Sequence, residues 1–175
     1  KTLLPQEKFL EAESLLQLAL QGMNRSAASP PATAAVLHAL AVLYRAAGRT
    51  EEAELAAKRG LQMIRSAPGP SEPEASSLLA QLLSLLGVLM TEQGDLSSAD
   101  RYLRQALTVL EPTASSELAA IWFNVGQLRY LQKKLDESER YFRRTLASQD
   151  PERPLVALTL ENLAQIKLRR GSPAE

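Results

Sequence analysis

A break recurs along this chain, and what stands on either side of it recurs as well. Gly48, Gly94, Lys133 and Gly171 hold the break, at intervals of 46, 39 and 38 residues. Seven residues before each break stands a small residue, Ala41, Gly87, Gly126 and Ala164, and five after it another, Ala53, Ala99 and Ser138. Farther on, a small residue precedes leucine in Ala19-Leu20, Gly60-Leu61, Ala106-Leu107 and Thr145-Leu146. Small residues at fixed places on both sides of a turn let two helices touch. A larger side chain there would force them apart, and overpacking of that kind typically costs about 1–3 kcal/mol. The unit is clearest around Gly94-Asp95. Leu86, Val88, Leu89 and Met90 precede the break at helical spacing, and Ala99, Tyr102, Leu103, Ala106 and Leu107 form the inner stripe after it.

The same periodicity predicts helices at about 5–23, 32–47, 50–65, 74–92, 97–110, 115–132, 136–147 and 153–170. Pro5 suits a first turn, and Phe9, Ala12, Leu15, Leu16, Ala19 and Leu20 share one face of the opening helix. Its register, 41 residues before Ala53 and Leu61, makes it the second helix of a repeat. Ser26 to Thr33, containing two prolines, is expected to be a loop, and Thr50 to cap the third helix ahead of Glu51 and Glu52. The run from Ser66 to Pro73 is an inserted loop that lengthens one interval. Leucines at 78, 79, 82, 83, 85, 86 and 89 are too many for one stripe, so the fourth helix should lie deepest. Ile121, Trp122, Val125 and Leu128 point inward from the sixth. Asp136 and Glu137 open the seventh and Arg143 and Arg144 close it, both ends suiting the helix dipole.

Small residue, break, small residue, then small-Leu resembles the tetratricopeptide repeat, a helix–turn–helix unit of about 34 residues. The intervals here are longer. Leu160-Glu161-Asn162-Leu163-Ala164, preceded by Pro154-Leu155-Val156-Ala157, resembles the longer variety found in kinesin light chains. Lys133 replaces the turn glycine, and Thr145 replaces a packing alanine. The resemblance implies an all-α, right-handed α-solenoid of antiparallel helix–turn–helix repeats: a partial repeat at 1–25, repeats at 32–66, 74–111 and 115–149, and a partial repeat at 153–175. With no initiator Met and no signal-peptide pattern, the chain is expected to be a fragment of a longer one, of cytoplasmic location.

Composition narrows the function. The 175 residues are 45% hydrophobic and 23% charged, as in soluble globular proteins. Twenty basic residues balance twenty acidic ones, so the whole chain has no electrostatic footprint for nucleic acid or an anionic membrane. Arg143-Arg144 and the run Lys167 to Arg170 fall in last turns of helices, where cations offset the dipole. No cysteine is present, which removes disulfides, thiolate metal sites and cysteine nucleophiles. No uninterrupted apolar run approaches the roughly 18 residues of a bilayer span, so no membrane span is expected.

Nothing in the sequence indicates catalysis, a metal or a cofactor. His38 is the only histidine and has no ligand partner at metal-binding spacing. Glycine-rich phosphate loops are absent, and the acidic pairs Glu51-Glu52 and Asp136-Glu137 sit at helix starts. A binding surface remains. In tetratricopeptide arrays the first helix of each repeat lines a concave groove that receives an extended peptide or a partner helix. Counted from each break, the groove positions are His38, Val42 and Arg45; Gln81, Ser84 and Val88; Phe123, Asn124, Gln127 and Tyr130; and Glu161, Asn162, Gln165 and Arg169. Asn124 and Asn162 match the second Asn of the kinesin-light-chain Leu-Asn-Asn-Leu-Ala motif, which implies that their amides bond a peptide backbone. The clamp for an acidic chaperone C-terminal tail needs Lys, Asn and Lys/Arg where this chain has His38, Val42, Ala120 and Asn124, so that partner is not expected. The expected role is a non-catalytic adaptor for other proteins. The alternative is a structural subunit of a larger assembly, whose contact would be the apolar flank of the eighth helix at Ile166 and Leu168.

Overall fold

A computed structural model describes residues 6–26, 28–66, 73–111, 117–148 and 153–171. Among them are eight helices and no strand: α1 Gln6–Ser26, α2 Pro30–Ala46, α3 Thr50–Ser66, α4 Pro73–Gln93, α5 Leu96–Leu110, α6 Leu118–Leu131, α7 Leu135–Ala147 and α8 Arg153–Gly171. Every expected helix is present. Pro5, most of the inserted loop (67–72), the expected start of the sixth helix at Ser115, Pro151 and the tail at 172–175 lie outside the described residues.

The breaks share one backbone conformation. Gly48 and Gly94 have φ of 77° and 86°, and Lys133 has φ of 62°, the left-handed region that a side chain disfavours. The hydrogen bonds repeat with it. Gly48 N–H donates to Arg45 O at 3.0 Å and Arg49 N–H to Tyr44 O at 2.9 Å; Lys133 and Lys134 make the same bonds to Tyr130 O and Arg129 O at 3.0 and 2.9 Å. These bonds occupy carbonyls that a helix C-terminus otherwise leaves open. The next helix then starts at once, since Ala53, Ala99 and Ser138 donate to the carbonyls of Arg49, Asp95 and Lys134 at 3.0 Å. Gly171 departs from the series, ending α8 without entering the left-handed region.

Two helix starts differ from expectation. Ser29 and the two prolines belong to the start of α2 rather than to a loop: Ser29 Oγ accepts from Ala32 N–H at 3.4 Å, and Pro30 and Pro31 fill the first turn, where no N–H is required. Thr50 does not cap α3. Its hydroxyl donates backward to Gly48 O at 3.5 Å, and Arg49 takes the position before the helix.

The chain divides into two compact units, Lys1–Leu89 and Met90–Glu175, with the division in the last turn of α4. In the first, α1 packs on α2 and α2 on α3. Gly60 of α3 lies against both α2 and α4, where a Cβ would meet Leu82 Cδ2 of α4 at 3.0 Å and Leu37 Cβ of α2 at 3.3 Å. Leu82, Leu83, Leu85, Leu86 and Leu89 of α4 are all buried, as their density in the sequence implies. One correction follows for membrane spans. Glu74–Gln93 is long and apolar enough to cross a bilayer, because its Ser and Gln interruptions dilute apolarity less than charges would; 56% of that window is buried inside the protein.

In the second unit α5 packs on α6, α6 on α7, and α8 on both α6 and α7. The small residues do what their spacing requires. Ala99, Ala106 and Ser138 are fully buried, and a Cβ on Gly126 would lie 2.7 Å from Phe142 Cε1. Where alanine is replaced, the hydroxyl is used: Ser138 Oγ donates to Gly126 O at 2.8 Å, and Thr145 Oγ1 lies 3.1 Å from Tyr141 O and 3.4 Å from Ala119 O. A buried hydroxyl bonded to a helix carbonyl avoids the penalty of an unsatisfied polar group. Ala164 is exposed, with no second helix paired to α8 among the described residues.

Candidate interaction surface

The expected groove residues separate into three groups. His38, Asn124, Gln127, Tyr130 and Asn162 are half-buried, while Arg45, Glu161, Gln165 and Arg169 are exposed. Phe123 is the correction. It is buried at 7%, its ring centroid 5.6 Å from that of Phe142 and tilted by 54°, in a core cluster with Ile166. Gly126 stands three positions after Phe123, so both fall on the face of α6 that meets α7. Ile166 is likewise fully buried rather than on an open flank, whereas Leu168 is 71% exposed. Ser84, on α4, is buried as well.

Of the remaining groove residues, the structure joins two directly. The Arg169 guanidinium lies 4.3 Å from the Tyr130 ring centroid, linking α8 to α6 by a cation–π contact. Asn162 spends part of its amide on its own helix, Nδ2 donating to Leu158 O at 2.7 Å, which leaves the acceptor Oδ1 as its second function. Burial holds His38 below the usual imidazole pKa.

A feature the sequence reasoning passed over links successive repeats. Six residues after a break, or at the equivalent register in α1, stands an acid: Glu13, Glu54, Asp100 and Glu139. Three of them reach an arginine near the following break. Arg49 Nη1 bonds both Glu13 oxygens at 2.9 Å, with its guanidinium over the Tyr44 and Phe9 rings and a second carboxylate, Glu52, beside it. Arg129 Nη1 bonds Asp100 at 2.6 Å and Gln132 at 2.7 Å, and its Nε lies 2.9 Å from Glu137 without hydrogen-bond alignment. Arg170 contacts Glu139 at 2.6 Å and Asp136 at 2.5 Å. Glu54 instead pairs with Lys58 on its own helix, and α4, which follows, has no basic residue. The periodic acid was visible in the sequence once α1 was placed in register.

On α7 a pocket of about 170 Å³ is lined by Glu137, Arg140, Tyr141 and Arg144. Among the described residues no group of three or more His, Cys, Asp or Glu is placed to hold a metal ion.

Helical hairpins joined through small residues, with one turn conformation repeated, define an α-solenoid. Tetratricopeptide-repeat models match residues 2–66 and 79–111, together over half the chain, and the chain belongs to the tetratricopeptide-repeat family. Its fold is similar to that of BtubC (BKLC) from P. vanneervenii, with a TM-score of 0.77 and 21% identity over 94% of this chain and 67% of that one. It is also similar to the nearly identical TPR-like repeats of a Podosopora anserina protein assigned as a kinesin light chain, with a TM-score of 0.71 and 18% identity over 94% of this chain and 80% of that one. At such identities the likeness is one of fold. No curated protein sequence matches the chain. Tetratricopeptide repeats in general mediate protein–protein interaction.

Proposed function

We propose that this protein is a non-catalytic adaptor that holds a peptide segment or a partner helix against the first helices of its repeats, principally α6 and α8. The observation that carries this reading is the Tyr130–Arg169 contact, which ties together the two helices that carry Asn124 and Asn162, six residues before Tyr130 and seven before Arg169. Gln127, Glu161 and Gln165 complete the surface, with His38 and Arg45 on α2 as its counterpart in the first unit. An aromatic ring carrying a cation offers apolar area and charge together, and carboxamides supply donors and acceptors to an extended backbone.

The test replaces Asn124 and Asn162 by Ala and measures affinity for a partner recovered by pull-down. Each neutral hydrogen bond is worth about 0.5–1.5 kcal/mol, so the pair should raise the dissociation constant about 5- to 150-fold at unchanged melting. Unchanged affinity would remove these helices from the binding surface. Exposed Leu10, Leu15 and Leu18 on α1 and Leu158, Leu160 and Leu168 on α8 favour a second reading, a subunit packed permanently into a larger assembly. Saturable binding of a peptide by monomeric protein supports the adaptor; self-association with no saturable binding supports the subunit.

A further inference from the structure

One face of α7 carries two arginines that have no ion-pair partner among the described residues. Arg140 and Arg144 stand one turn apart and both line the pocket, with Tyr141 between them in sequence. The carboxylates of α7 pair with other cations, Glu137 with Arg129, Asp136 with Arg170, and Glu139 with Arg170 and Arg143; Glu137 also lines the pocket, and its pairing with Arg129 leaves the two pocket arginines in excess. Arg143 is thereby neutralised, whereas among the described residues no carboxylate lies within ion-pairing distance of Arg140 or Arg144. Like charges at this spacing destabilise a helix, and the dipole at the C-terminal end of α7 offsets only Arg144, which lies in its last turn. Tyr141 is half-buried, with the Arg144 guanidinium 5.8 Å from its ring centroid.

The helix α5 supplies an internal comparison. Arg101 and Tyr102 occupy the same places relative to Gly94 as Arg140 and Tyr141 do relative to Lys133, and Arg101 lies 5.2 Å from the Tyr102 ring. At the place of Arg144, however, α5 has Gln105. At these two places α5 has one arginine, and α7 has two beside a pocket.

We infer that the pocket on α7, through Arg140, Tyr141 and Arg144 and with Glu137 held by Arg129 at its edge, binds a phosphate monoester carried on a segment of a partner protein. Guanidinium forks match phosphate oxygens with paired charge-assisted bonds, and a tyrosine hydroxyl adds a further donor. A dianion meets both arginines at once, which a single carboxylate does less well. The pocket is too small for a helix and suits one group at the end of a side chain. It lies on a second helix, so a partner can occupy it and the first-helix surface together.

The arginine Nε–Hε signals of the intact protein are followed by NMR during titration with the peptide Ala-Ala-phosphoSer-Ala-Ala, with its unphosphorylated counterpart and with inorganic phosphate. Saturable shifts at Arg140 and Arg144 with the phosphopeptide, absent with the serine peptide and weaker with inorganic phosphate, are expected. Arg140→Gln and Arg144→Gln should each weaken binding about tenfold or more at unchanged melting, and Arg101→Gln should leave it unchanged. Equal shifts at Arg101 would mean diffuse screening and overturn the site. Inorganic phosphate binding as tightly as the phosphopeptide would overturn the protein-segment assignment.

Discussion

Gly126 lies so close to the Phe142 ring that a Cβ on it would sit 2.7 Å from Cε1 and 2.8 Å from Cδ1. Phe142 is fully buried and cannot swing aside into solvent. Gly126→Ala should therefore destabilise the protein by about 1–3 kcal/mol despite the better helix propensity of alanine. Gly22, in α1, has nothing within 4 Å of the same point, and Gly22→Ala should stabilise by up to about 1 kcal/mol. Opposite shifts of the melting temperature are expected from one substitution; shifts of the same sign would mean that α6 and α7 are not so closely apposed.

Lys133 pays for a conformation that Gly48 and Gly94 adopt freely. A left-handed residue with a Cβ costs about 1–2 kcal/mol, and glycine gives back part of that by enlarging the freedom of the unfolded chain. Lys133→Gly should accordingly raise stability by about 0.5–1 kcal/mol in urea denaturation. A loss would mean that the lysine side chain makes a contribution larger than its strain.

Arg129 is 6% exposed and holds Asp100, itself 22% exposed. Removing one partner of a buried pair leaves the other uncompensated, and partial exposure of Asp100 and Glu137 softens the penalty. Arg129→Ala should destabilise by about 2–3 kcal/mol, and Asp100→Asn in that background should add little. Additive losses in the double-mutant cycle would show the two residues to act independently.

His38 should make stability depend on pH. Its folded pKa is lowered by burial, so the unfolded chain binds more protons below the ordinary value of 6.5. The neutral imidazole's full contribution is present above that value and is lost as pH falls through the lower folded pKa. Melting temperatures between about pH 7.5 and about pH 5 should fall on acidification, and less so in His38→Gln. Parallel profiles for the two proteins would assign the acid loss to other groups.

The hairpins were legible because their signal is local. A small residue at a fixed distance from a break marks helix contact whatever the neighbouring repeat does, and even Lys133 was placed correctly by spacing alone. What was illegible depends on which face a residue presents. Phe123 and Asn124 are adjacent on α6, and counting from the break put both in the groove; Phe142, on another helix, decides that one of them turns inward. Ile166 was misplaced for the same reason, its burial being set by Phe123 and Phe142 rather than by its own helix. Ser29 failed differently. Two prolines read as a loop are also what a helix start tolerates, and the capping oxygen settles which.

Glu13, Asp100 and Glu139 each bind a base of the following unit, so those three joints need contributions from two successive units. The hairpin α6–α7 brings Arg129, and the helix before it must bring a carboxylate at the place of Asp100. The helix α4 makes no such demand, having no base to satisfy. Units of the same fold are consequently not interchangeable: transplanting α6–α7 behind a second helix with an apolar residue at that place would leave the buried Arg129 with Glu137 as its one remaining carboxylate among those described. The order of the repeats is written in the charges at the joints, while the hydrocarbon between the helices would accept several orders.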